Sequence, residues 1–185
     1  MVTTHPFSTG PRDPQADAAR LARAVAALEA VTDPEIPVVT LAELGILREL
    51  CIDEHHVLVA TITPTYCGCP AMSQIADDVS RALHSADVGA FRVETVLSPA
   101  WTTDWISEDG RRKLLDFGIA PPARRGTHNA ACPIGLVRPE EAERVACPRC
   151  GSFDSERVSA FGTTACQAVY RCRACSESFG YFKPY

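Results

Sequence analysis

Cys147-Pro-Arg-Cys150 and Cys172-Arg-Ala-Cys175 constrain this chain more than any other feature. Each is a C-x₂-C knuckle, and 21 residues separate them. Two thiolates three residues apart can take adjacent corners of a tetrahedron, and a second such pair closes it. The spacing is near that of zinc ribbons. A segment of about 40 residues rarely folds without a staple, and a metal ion would be that staple. Val158, Phe161, Val169, Tyr170, Phe179, Tyr181 and Phe182 supply strands and a small core. The expectation is one structural zinc ion at Cys147, Cys150, Cys172 and Cys175. A rubredoxin-like iron site would use the same four ligands.

Nine cysteines in 185 residues are many, and their meaning depends on compartment. Met1 to Arg12 holds Pro6, Gly10 and Pro11 and lacks the apolar stretch of a secretory signal. No apolar run approaches the ~18 residues of a membrane span. A cytoplasmic location is therefore expected, where cysteines point to metal binding or thiol chemistry rather than to disulfides. The formal net charge of −5 argues against a general nucleic-acid partner. Arg149, Arg171 and Arg173 lie inside or beside the knuckles, where they offset thiolate charge.

The expected fold is α+β, an assembly of helices on one small sheet followed by a ribbon-like β domain. Asp13-Pro14 starts a helix, with an acceptor at N-cap and proline at N1. Leu21, Val25 and Leu28 form its apolar stripe, and Asp33-Pro34 lies beyond its end. Residues 46–52 and 57–63 read as a hairpin around Asp53-Glu54-His55-His56. Pro70 opens a second helix with Met72, Ile75, Ala76, Val79 and Leu83 on one face. Alternation at Phe91, Val93, Thr95 and Leu97 marks a strand, and a last helix spans about residues 107–117, with Gly118 at C′. The order is α-β-β-α-β-α over residues 14–119. Residues 120–143, rich in proline and glycine, read as a linker to the four-cysteine domain at 144–185, giving two separate cores.

The stretch Thr61-Ile-Thr63-Pro-Thr65-Tyr-Cys67-Gly-Cys69-Pro70 ends a strand and leads into a helix. A cysteine at or just before N1 would meet free N–H groups and the positive end of the helix dipole. Such positions lower a thiol's pKa, which makes Cys69 a candidate reactive thiol, with Thr63 and Thr65 as hydroxyl donors. The plain alternative is that Cys69 is a small capping residue. Cys67 extends the site to a dithiol or is a surface thiol in a turn. In Asp33-Pro34-Glu35-Ile36-Pro37, capping is the default role of Asp33, whereas Glu35 has no such default. Cys166 stands outside the knuckles and reads as a core thiol, an extra ligand or a reactive group. His55, His56, His84 and His128 have no context that makes one of them a base. Neither a diiron carboxylate–histidine motif nor a glycine-rich nucleotide loop is visible.

Asp33-Pro34-Glu35-Ile36-Pro37, Leu44-Gly45-Ile46 and Gly68-Cys69-Pro70-Ala71 resemble the SufT-type family of iron–sulfur assembly factors over residues 21–97. Ser98-Pro-Ala-Trp101-Thr-Thr-Asp-Trp105-Ile106, Gly118-Ile-Ala-Pro-Pro122 and Phe161-Gly-Thr-Thr-Ala-Cys166 extend the likeness to nearly the whole chain. Together they resemble the D-type accessory proteins encoded with bacterial phenylacetyl-CoA epoxidases, also named as the J component of phenylacetate-CoA oxygenase. The resemblance implies a maturation role in aerobic phenylacetate degradation, not oxygenation itself. It implies Asp33, Glu35 and Cys69 as functional residues, and Cys67 departs from its pattern. The implied partners are the oxygenase and reductase subunits of that system, and the implied cargo is iron or a transient iron–sulfur cluster. One exposed thiol per chain cannot complete four ligands, so a homodimer bridged through Cys69 is compatible with this role. The competing readings are a non-catalytic docking subunit of the oxygenase and a thiol enzyme.

Overall fold

The computed structural model describes residues 13–66, 68–123 and 145–184. Cys67, His128 and Cys132 lie outside them, as does most of the expected linker.

Helix α1 (Pro14–Leu28) begins as expected, with the Asp13 carboxylate accepting from Gln15 N–H at 3.0 Å. Its buried face is shifted from the expected stripe. Ala24 and Leu28 are buried and Leu21 borders the core, whereas Val25 is 43% exposed. Positions 21, 24 and 28 follow the i, i+3, i+7 spacing, and Val25 lies about 100° around from Ala24. Strands β1 (Leu47–Ile52) and β2 (Leu58–Ile62) form the expected antiparallel hairpin. Asp53 closes its turn by accepting from His55 and Val57 N–H.

Helix α2 (Met72–Ser85) buries Ile75, Val79 and Leu83. It crosses over to β3 (Phe91–Thr95), which pairs with β2 in parallel, so the sheet order is β1-β2-β3. Parallel pairing needs such a crossover, which α2 supplies. Helix α3 (Glu108–Asp116) is capped by Ser107, whose Oγ accepts from Gly110 N–H. Gly118 follows at φ +87°, where its N–H reaches the Leu115 carbonyl.

The second sheet joins the two halves of the sequence. Strand β4 (Ile119–Ala120) pairs in parallel with β7 (Ser178–Phe182). β7 pairs with β6 (Gln167–Cys172), and β6 with β5 (Ser155–Ser159), giving the order β4-β7-β6-β5. Ala120, expected in the linker, is thus part of a strand. The two cores are not separate. Phe182, Cys166 and Ile119 are buried in the same cluster as Leu28, Ile36, Leu44 and Ile75. The Phe182 ring lies 5.9 Å from that of Trp101, whose Nε1–H donates to the Leu44 carbonyl. A smaller core of Val145, Cys147, Tyr170, Phe179 and Tyr181 remains to the ribbon alone. Val158 and Phe161, expected in that core, are 61% and 67% exposed. Composition suggests independence because it does not show that β7 contributes side chains to both cores.

Candidate functional site

Two groups of cysteines form two different places. The first is the pair of knuckles. Cys147 and Cys150 flank the first turn, which the Gly151 N–H closes onto the Cys147 carbonyl at 2.8 Å. Cys172 ends β6, and Cys175 sits in the turn before β7. Cys147 Sγ lies 3.7 Å from Cys175 Sγ, and Cys150 Sγ lies 3.6 Å from Cys172 Sγ. All four sulfurs fall within 4.8 Å of one another. Four sulfurs about 2.3 Å from a central ion stand about 3.8 Å apart at the corners of a tetrahedron, so this donor set fits a four-coordinate metal. N–H groups of Cys175 and Ala174 donate to Cys172 and hold its thiol down, to about 7. Ser152 and Glu177 N–H groups donate in the same way to the Cys150 and Cys175 sulfurs. The four-cysteine set is a metal-binding site.

The second place is built around Cys69. The Asp33 turn is rigid: one carboxylate oxygen accepts from Glu35 N–H at 2.8 Å and Ile36 N–H at 2.9 Å. The Asp33 N–H in turn donates to the Val39 carbonyl. Asp33 is buried, and desolvation raises its pKa despite those two donors. Glu35 is half-buried; burial and the Asp33 charge raise it. Both carboxylates act on Cys69, so the acidic turn and the thiol converge. Thr63 and Thr65 are buried on the chain that leads from β2 to Cys69. The Thr63 hydroxyl has no hydrogen-bond partner among the described residues.

Cys69 departs from expectation in two ways. It does not start the helix: α2 begins at Met72 with Ala71 at its N-cap and no side chain capping it. A residue before proline is driven from the helical region, so the chain turns at Cys69-Pro70 first. The N–H groups of Ala71 and Met72 still donate to the sulfur. Its pKa is nevertheless raised, not depressed, because burial outweighs the donors, and Glu35 and Asp33 add to it.

A second thiol approaches this place from the other end of the sequence. Cys166 is buried, and burial pushes it up to about 11, with Glu35, Asp33 and Cys69 all contributing. Its Sγ lies 3.0 Å from the Thr164 hydroxyl, and its carbonyl accepts from Lys183 N–H. Sequence alone leaves Cys166 unassigned because it stands 97 residues from Cys69. Only the packing of β7 against the first core brings them together.

An iron–sulfur assembly domain carrying a cysteine-rich ribbon is the class these features define. A family model described as iron-sulfur cluster assembly protein matches residues 21–97, and one described as PaaD zinc beta ribbon domain matches residues 135–183. The chain belongs to the PaaD family, the D components of phenylacetyl-CoA epoxidases. It is 41% identical over 159 residues to the Escherichia coli protein named as the D component of 1,2-phenylacetyl-CoA epoxidase, spanning 85% of this chain and 89% of that protein. It is also 38% identical over 82 residues to the Bacillus subtilis Fe-S protein maturation auxiliary factor YitW, covering 44% of this chain and 79% of that one. A crystal structure of a domain of unknown function from Bacillus anthracis matches 55% of this chain and 97% of its own length, with 32% identity and a TM-score of 0.49. No described helix is long and apolar enough to cross a membrane.

Proposed function

We propose that this chain is an accessory maturation factor for the phenylacetyl-CoA epoxidase system, passing iron or an iron–sulfur cluster to its oxygenase or reductase subunits through Cys69. The observation that carries this reading is the convergence of Asp33 and Glu35 on a half-buried thiol beside the first turn of α2. Relatives named as Fe-S maturation factors support it. The raised thiol pKa suits a carrier. A thiol that stays protonated when empty gives up its proton as iron arrives and regains it as iron leaves, so ligation is readily reversed. The carboxylates favour a bound cation electrostatically and position the acidic turn against the thiol.

In this reading the four-cysteine site holds zinc and keeps the ribbon folded. Its four thiolates leave no open coordination position, as in structural rather than catalytic zinc sites. Metal analysis of aerobically purified protein should find one zinc per chain; one iron and a red colour would make the site rubredoxin-like.

Anaerobic reconstitution with iron and sulfide tests the carrier role. The wild-type chain should gain visible absorption and iron beyond the four-cysteine site, and should pass that iron to apo-client. Cys69→Ser should do neither. Equal uptake and transfer by the variant would reject the reading. A docking role is the second reading, favoured by Phe153 and Phe161, which are 62% and 67% exposed on the ribbon half. Docking should survive Cys69→Ser.

A further inference from the structure

The inference that follows rests on the reading of Cys69 as the iron-carrying thiol and adds a second ligand to it. Cys166 belongs to the ribbon half of the sequence, one residue before β6, yet its side chain is buried in the core that Cys69 borders. Glu35 lines a cleft of about 390 Å³ together with Thr163 and Gln167, which flank the Cys166 turn, and with Gly118 and Gly162. Asp33, Glu35, Cys69 and Cys166 thus come from three stretches of chain to one region. Among the described residues, the charges acting on these four groups are one another's. Acidic groups gathered under partial burial stay protonated or take a cation. Thiols and a carboxylate together suit a borderline divalent ion rather than magnesium or calcium. The partnerless, buried Thr63 hydroxyl lies on the same approach to Cys69.

We propose that Cys69 and Cys166 form a second metal site, separate from the four-cysteine site, which takes a divalent iron ion through two thiolates and the Glu35 carboxylate. Binding replaces one proton on each thiol with a bond to the metal, and both protons leave to water through the cleft. No electron is transferred. The site is open when empty. Among the described residues, only the knuckle sulfurs form a group of three or more ligand atoms within 4.8 Å. Closure therefore requires the Cys69 loop to move. Gly68, at φ +90° and with nothing within 4 Å of where a Cβ would stand, leaves that loop room to do so. The four-cysteine site is preformed and permanent, whereas this one is assembled by its cargo.

The test uses the full chain with its four-cysteine site filled by zinc, titrated anaerobically with Co²⁺. X-ray absorption fine structure at the cobalt edge counts sulfur neighbours, and the sulfur-to-cobalt charge-transfer band follows binding. One cobalt per chain with two sulfur neighbours is expected. Cys69→Ser and Cys166→Ser should each leave one sulfur neighbour, halve the band and weaken binding at least tenfold. Fewer than two sulfur neighbours in the wild-type chain overturns the proposal, and that measurement needs no variant to fold. Wild-type affinity and spectrum in Cys166→Ser overturn it equally. Should Cys69→Ser cells yield iron-poor clients while Cys166→Ser binds cobalt normally, the second ligand is rejected and the carrier role stands. Two sulfur neighbours at cobalt, with fully metallated clients in Cys69→Ser cells, support the site and reject the carrier role.

Discussion

At Cys69 two opposing influences meet on one sulfur. The N–H groups of Ala71 and Met72 favour the thiolate, while burial first, and then Glu35 and Asp33, disfavour it more. A raised pKa means less thiolate at neutral pH and a steeper gain as pH rises. Alkylation of Cys69 should therefore be slower at pH 7 than that of an exposed cysteine peptide. Glu35→Gln and Asp33→Asn should each lower the pKa and speed the reaction at pH 7, as peptide mass spectrometry of time points would show. A slower reaction in both variants would contradict the electrostatics. The residues of this site are legible in sequence as an acidic Asp-Pro-Glu turn and a Cys-Pro step into a helix. The sign of the thiol's shift is not, because it depends on burial in a core that also contains Cys166 and Phe182.

Among the elements, those set by local chemistry match their sequence signals. Asp13-Pro14 caps α1, Ser107 caps α3 and Gly118 ends it in the left-handed region. Elements set by distant packing do not. The parallel pairing of β3, the late start of α2 and the exposure of Val25 each depend on neighbours outside their own window. Gly45 shows both kinds of constraint. It turns the chain at φ +70° into β1, and a Cβ there would stand 2.7 Å from Cβ of Trp105. The left-handed conformation alone costs a non-glycine residue about 1–2 kcal/mol. With the clash added, Gly45→Ala should lose about 2 kcal/mol or more, read as a lower urea midpoint at unchanged slope. An unchanged midpoint would mean that the Trp105 segment gives way freely.

Across the whole molecule, the ribbon and the α+β half share a core through β4–β7 pairing and the Phe182–Trp101 contact. Two knuckles make the ribbon legible, but a proline-rich stretch between them and the first half suggests an independence that the packing removes. Phe182 is 1% exposed, so Phe182→Ala should cost about 3–5 kcal/mol. Tryptophan fluorescence and circular dichroism should then report one coincident transition rather than two. Cys147→Ser or strong chelation should destabilise both halves together; an unchanged first half would contradict the shared core. The central claim, that this chain supplies metal to the epoxidase system through Cys69, is tested most directly by iron per client polypeptide, measured on oxygenase and reductase subunits purified from cells carrying wild-type protein or Cys69→Ser. The account predicts clients that are made in normal amount but deficient in iron in the variant. Equal iron content in the two would contradict it.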